Sequence, residues 1–254
     1  MEPKRNLNTS GIYFDSANLA ELKKWFSAHI LGGATTNPLI LQNEGVVDVP
    51  RHIQKMVDIV GPGFPISIEL PDIKVTRDKK LDLAKKYNEM FPMNTVIKVA
   101  MDPRKPEAAY EVIYRLGQAG VKVNATLGLS FGQLAGAAEA MRYSHVDGNY
   151  ISLFWARRDE AKRQIEAETG VESPDAATTL LMTINYLKIH NLSPKIIVGS
   201  IRNIVHIDQA FYLGADIVTI PPKFIQAWMY TKRGVETLEE FNKGYQGVKK
   251  MKLI

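Results

Sequence analysis

Short apolar runs alternate with longer amphipathic ones along the chain. The short runs are GIYFDS (11–16), GGATTN (32–37), PISIEL (65–70), TVIKVA (95–100), KVNATL (122–127), NYISLF (149–154), KIIVGS (195–200) and DIVTIP (216–221). They are rich in Ile and Val and apolar on both faces, as parallel strands covered by helices must be. Between them, residues 18–30, 49–60, 77–91, 105–119, 131–142, 173–190 and 203–213 have helical spacing, and 222–231 follows the last strand. The helix over 173–190 is expected to open with Ser173, Pro174 and Asp175, since proline suits a first turn and a negative charge suits the helix dipole there. Leu180, Thr183, Ile184 and Leu187 then recur three and four residues apart.

Strand and helix alternating eight times predicts an α/β protein, a single (β/α)₈ TIM barrel over residues 1–254. No Pro-, Gly- or Ser-rich linker divides it. Residues 235–254 are a helical extension beyond the barrel, with Leu238, Phe241, Tyr245 and Val248 able to form one apolar stripe. That stripe packs either on its own barrel or on a neighbouring subunit.

Composition narrows the picture. The 254 residues can bury a sizeable core, and 45% hydrophobic with 23% charged residues is ordinary for a globular protein. No apolar run is long enough to span a membrane, and the first residues, MEPKRNLNTSG, lack the apolar core of a signal peptide. The absence of cysteine excludes disulfides, thiol nucleophiles and zinc–thiolate sites, and fits a cytoplasmic protein. The net charge of +5 and pI of about 9.2 suit an anionic small molecule or nucleic acid. The basic residues form no long arm. The densest cluster, VKKMKLI, reads as a solvated helix end, which favours the small molecule over nucleic acid.

Barrel enzymes carry their chemistry at the C-terminal ends of the strands. Those ends hold Asp15, Asn37, Glu69, Lys98, Asn124 with Thr126, Ser152 with Arg157 beyond it, and Ser200 with Arg202 beyond it, while the eighth strand offers Thr219. Lys98 lies inside an apolar strand, and lysine is seldom buried unless paired or functional. Loss of hydration frees its amine, and a free amine attacks carbonyls to form Schiff bases. The alternative is a packed stem with its head in solvent. Arg157 and Arg202 can each grip a phosphate or sulfonate by two hydrogen bonds, and the helix start after Ser200 favours anions, or the arginines form surface salt bridges. The histidines, His29, His52, His145, His190 and His206, lack ligand spacing and a carboxylate cluster, so neither a metal nor a cofactor is expected.

Gly128, Leu129, Ser130, Phe131 and Gly132 spell G-x-S-x-G, the nucleophile elbow of serine hydrolases, in strand-to-helix context. Asp175 with His190 or His206 satisfies the order of a triad. Both histidines fall in helical patterns, however, and this reading leaves Lys98, Asn37 and Glu69 idle. Ser130 reads better as the N-cap of the following helix, with Gly128 and Gly132 giving room to turn. A non-catalytic sugar-phosphate-binding barrel explains the arginines but not Lys98, Asp15 and Glu69 together.

The segments FDSANLAELKKW, GGATTNPLI, TVIKVA, VNATLGLS, YISLFWARRDE and GSIRN…GADIVTIPP, in that order over about residues 12–222, resemble the transaldolase family. These are Schiff-base enzymes on (β/α)₈ barrels. The resemblance implies that Lys98 forms the Schiff base with C2 of a ketose, and that Asp15 takes the C4 hydroxyl proton as the C3–C4 bond breaks. Glu69 and Thr126 would hold a proton-shuttling water. Asn37, Asn124 and Ser152 would bind hydroxyls of the three-carbon unit, with Phe154 beside them, and Arg157, Ser200 and Arg202 the phosphate. A second branch, the fructose-6-phosphate aldolases, has Gln at Glu69 and Tyr at Phe154, so both positions here resemble the transferase branch. Leu153 replaces a usual proline and Trp155 is bulkier than usual. These changes stand beside the phosphate grip and open the site to a sulfonated sugar such as 6-deoxy-6-sulfofructose. Short family members form pentamers and decamers, which implies a homo-oligomer, a decamer by that likeness. Neither nucleic acid nor membrane is an implied partner.

Overall fold

A computed structural model describes residues 11–71 and 75–247 of the chain. Eight parallel strands close into a barrel in sequence order. They are β1 (Gly11–Asp15), β2 (Gly33–Thr35), β3 (Ile66–Glu69), β4 (Thr95–Ala100), β5 (Val123–Gly128), β6 (Tyr150–Phe154), β7 (Lys195–Gly199) and β8 (Ile217–Ile220), with β8 pairing back onto β1. The helices are α1 (Leu19–Ser27), α2 (Pro38–Asn43), α3 (Val49–Val60), α4 (Arg77–Met90), α5 (Pro106–Gln118), α6 (Phe131–Met141), α7 (Trp155–Thr169), α8 (Ala176–Ile189), α9 (Ile204–Tyr212), α10 (Pro222–Met229) and α11 (Lys232–Gly247). Local chemistry sets many of their starts. Side chains of Asn18, Asp48, Thr76, Ser130, Asp175 and Asn203 each accept a backbone N–H of the first turn.

Two helices are absent from the sequence reading. Helix α7, WARRDEAKRQIEAET, is polar around nearly its whole circumference, so it offers no apolar stripe to read. Helix α2 is six residues long, too short for periodicity to register. The helix expected from Ser173 starts at Ala176, because Asp175 serves as its N-cap rather than as a first-turn residue.

Two apolar layers follow from strand alternation. Outward residues pack against the helices in the main core, with Phe14, Ile68, Ile97, Ala125, Ile151, Val198 and Val218 among them. Inward residues Tyr13, Val96, Tyr150, Ile197 and Ile217 fill the lower barrel. The Tyr13 and Tyr150 hydroxyls hydrogen-bond at 3.1 Å, and burial pushes the Tyr13 phenol far above its ordinary pKa. Gly33 makes room for this plug, since a Cβ there would lie 2.5 Å from the Tyr13 ring. The lower barrel is therefore closed, and open space begins one layer higher, at the C-terminal ends of the strands.

Helix α11 begins three residues before the expected 235. Its stripe does not pack on its own barrel: Val235, Leu238, Phe241 and Tyr245 are 44%, 59%, 63% and 64% exposed. Val248, the rest of the extension with VKKMKLI, and the N-terminal segment 1–10 lie outside the described residues. Among the described residues, no helix is long and apolar enough to cross a membrane.

Candidate active site

The layer above the Tyr13 plug is polar. In register, Asp15 lies beside Thr35, Glu69 beside Lys98, and Lys98 beside Asn124. Lys98 is buried, its Nζ donating to the Thr36 carbonyl at 2.8 Å and lying 3.0 Å from Glu69 Oε2. Its head is thus held inside the barrel, which removes the solvent-reaching alternative. Asp15 Oδ1 accepts from Thr35 Oγ1 at 2.7 Å, and Thr35 in turn meets Thr219 Oγ1 at 2.5 Å. Burial pushes the Asp15 carboxyl above its ordinary pKa; Lys98, the Thr35 hydrogen bond and Arg157 oppose the shift, whereas Glu69 adds to it.

On the other side, Ser152 Oγ donates to Asn124 Oδ1 at 2.6 Å, and Asn124 Nδ2 donates to Ser67 Oγ at 3.3 Å. Thr126 differs. Its hydroxyl is the only buried side-chain polar atom among the described residues without a hydrogen-bond partner. Thr126 precedes an irregularity: Leu127 takes φ 69°, and the β5–β6 register shifts between Ala125 and Gly128. Such bulges re-aim neighbouring side chains. Gly128 is required there, because a Cβ would lie 2.5 Å from both Leu134 and the Ser152 carbonyl oxygen. Gly132 meets nothing within 4 Å, so it is not needed for the turn.

A cavity of about 630 Å³ opens over this layer. Asp15, Lys98, Asn124, Thr126 and Ser152 line it, as do Asn37, Phe154, Arg157, Ser200 and Arg202. Glu69 is the one candidate residue that does not line it, although its Oε2 lies 3.0 Å from Lys98 Nζ. Asn37 has a second task, since its Oδ1 caps α2 by accepting the Ile40 N–H at 2.9 Å. This leaves its amide N–H groups for a ligand. The Arg157 guanidinium lies 5.5 Å from the centroid of the Phe154 ring, and Arg202 is ion-paired with Glu160 of α7. Ser200 adopts φ 58°, a left-handed conformation costly for a side-chain-bearing residue.

The sequence reading missed Leu39 and Ile40 on α2 and Lys223 and Phe224 on α10, which also line the cavity. Each sits on a helix after a strand, so no strand-end rule finds it. The Pro221–Pro222 start of α10 is the available signal for Lys223. Leu153 and Trp155, by contrast, are buried and line no part of the cavity. The sequence departures at these positions therefore lie outside the cavity lining.

The hydrolase triad is not assembled. Ser130 caps α6 by accepting the Gln133 N–H at 3.2 Å, and its hydroxyl also meets Gln133 Oε1 at 3.4 Å. Asp175 caps α8, His190 stacks on Tyr186, and His206 lies beside Trp155. Among the described residues, no three His, Asp or Glu side chains are grouped to hold a metal ion.

A buried lysine beside a half-buried carboxylate, an orphaned hydroxyl and two arginines come together at the C-terminal ends of the strands of a (β/α)₈ barrel. The comparisons narrow this. The family model described as transaldolase/fructose-6-phosphate aldolase matches residues 12–253. A probable transaldolase of Exiguobacterium sp. is 30% identical over 227 residues, covering 88% of this chain and 93% of that one. One from Desulfitobacterium hafniense is 32% identical over 208 residues, covering 82% and 84%. One from Syntrophobacter fumaroxidans is 30% identical over 244 residues, covering 95% and 99%. Among solved structures, a dihydrodipicolinate synthase family protein from Coccidioides immitis superposes with a TM-score of 0.54 at 12% identity, over 86% of this chain and 68% of that one, a likeness of fold alone. The chain belongs to the transaldolase/fructose-6-phosphate aldolase family. Its family makes it an enzyme, a transferase of aldehyde or ketone groups.

Proposed function

We propose that this enzyme transfers a dihydroxyacetone unit from a ketose phosphate, such as fructose 6-phosphate, to an aldose phosphate through a Schiff base on Lys98. The observation that carries the proposal is the buried Lys98, paired with Glu69, on the wall of a cavity that Arg157 and Arg202 also line. Glu69 stands 3.0 Å from Nζ and can take the proton that makes the amine a nucleophile. The amine attacks C2, and the carbinolamine loses water to give an iminium. The unpartnered Thr126 hydroxyl, on the cavity wall, supports its role in holding that water. Asp15 accepts the C4 hydroxyl proton, the C3–C4 bond breaks, and its electrons flow into the iminium to leave an enamine. The aldose phosphate departs, and the enamine carbon attacks the acceptor aldehyde, which regains a proton from Asp15. Water then releases the new ketose from Lys98.

The lower part of the cavity suits the three-carbon unit, through Asn37, Asn124 and Ser152. Arg157, Ser200 and Arg202 suit the phosphate, by charge and by the α9 N-terminus. Glu69 and Phe154 favour transfer over release. Incubation with fructose 6-phosphate and erythrose 4-phosphate tests this: formation of a seven-carbon sugar is expected to outrun release of dihydroxyacetone. Predominant release would assign the aldolase reaction instead. The exposed α11 stripe supports a homo-oligomer in which a second copy covers it.

A further inference from the structure

Trp155 follows the cavity-lining Phe154 and precedes the cavity-lining Arg157, yet its own ring turns away from the cavity and is buried. It packs on His206 of α9, with ring centroids 6.0 Å apart and planes 31° apart. His206 is tied to the segment that carries Ser200 and Arg202. Its Nδ1 lies 3.5 Å from the Arg202 backbone N, its Nε2 3.0 Å from Asn203 Nδ2, and its own N–H donates to Asn203 Oδ1 at 3.0 Å. Two further links join the same two segments. The Ala156 N–H donates to the Ser200 carbonyl at 3.3 Å, and Glu160 pairs with Arg202.

From this geometry we infer that Trp155 and His206 are a positioning pair that holds the anion-binding end of the cavity together from behind. The inference rests on the Schiff-base reading above. The pair touches no substrate and acts through Arg157 on one side and Ser200–Arg202 on the other. Ser200 needs such support, because a left-handed residue other than glycine persists only where its surroundings over-determine it. Trp155 packs behind His206, and the unprotonated imidazole nitrogen can accept from the Arg202 N–H or from the Asn203 amide, which ties down the chain just after Ile201. The floor of the site, with Lys98, Glu69 and Thr126, makes none of these contacts. Loss of the pair should therefore weaken recognition of the phosphorylated substrate and spare chemistry at Lys98.

The test compares two ligands on the full-length protein. Fructose 6-phosphate uses both ends of the cavity, whereas dihydroxyacetone carries no phosphate and reaches the floor alone. In His206→Ala and Trp155→Ala, KM for fructose 6-phosphate is expected to rise about tenfold with kcat within about twofold. Borohydride trapping of dihydroxyacetone on Lys98 should keep its wild-type rate. Trp155→Phe, which retains a ring against His206, should restore most of the lost affinity. If Trp155→Ala fails to fold, His206→Ala carries the same expectation. Unchanged KM in a folded His206→Ala would overturn the inference, as would equal losses for both ligands, which mark a merely structural role. A wild type that is trapped by neither ligand would overturn the Schiff-base reading and this inference with it, whereas normal trapping with unchanged KM overturns the inference alone.

Discussion

Glu69 and Lys98 are register partners across β3 and β4, and their side chains meet with Oε2 3.0 Å from Nζ. A carboxylate this close can hold the ammonium in place and can also receive its proton. Glu69→Gln keeps the shape and removes the base. Transfer and Schiff-base formation are expected to slow together by about 10²–10⁴-fold. A time course of borohydride trapping measures this, and an unchanged trapping rate would remove Glu69 from proton transfer.

The unpartnered Thr126 hydroxyl and the Ser130 cap separate two uses of one segment. Thr126→Ala should slow Schiff-base formation while leaving stability unchanged or raising it by about 1 kcal/mol, since a buried unsatisfied hydroxyl is lost. Ser130→Ala should do the opposite, costing about 1 kcal/mol through the lost cap and keeping activity. Urea unfolding and turnover on both variants give the comparison. Loss of turnover in a folded Ser130→Ala would contradict the assignment of Ser130 to the cap alone.

Asp15 makes a prediction about pH. Its folded-state pKa lies above the ordinary carboxylate value, first because of burial. A group raised in this way supports the fold fully below its unfolded pKa, and the support is lost as pH rises through the folded pKa. As pH rises through that raised range, ionisation of Asp15 therefore costs the fold stability that it has at acid pH. Asp15→Asn should raise Tm at pH 7 and lower turnover by about 10²–10⁴-fold. In the wild type, kcat/KM should fall on the acid side along a limb above the usual carboxylate range, because Asp15 must be ionised to take the C4 proton. A lower Tm in Asp15→Asn would contradict this.

The exposed stripe on α11 predicts association. Leu238→Glu with Phe241→Glu should shift the protein toward the monomer in sedimentation velocity, with little change in the circular dichroism of the barrel. A wild type that sediments as a monomer would contradict the expectation.

The strands were readable because parallel strands buried on both faces leave compact Ile- and Val-rich runs. The polar layer was readable because a lysine in TVIKVA and an asparagine in KVNATL break those runs at positions that alternation aims inward. Helix α7 was not, since Arg157, Arg158, Asp159 and Glu160 follow one another without an apolar stripe. The direction of Trp155 was not readable either. Beside Phe154 in sequence, it stands next to the phosphate grip, and only the tertiary structure turns its ring to His206. Lys223 and Phe224 reach the cavity through the path of α10, which depends on tertiary packing rather than on any local pattern.

The central claim is that Lys98 is the nucleophile. Its most direct test is borohydride reduction in the presence of fructose 6-phosphate, followed by intact mass and peptide mapping. A reduced three-carbon adduct on Lys98, absent in Lys98→Met, is the result expected. A protein mass that stays unchanged with every ketose phosphate supplied, or an adduct on a different lysine, would contradict it.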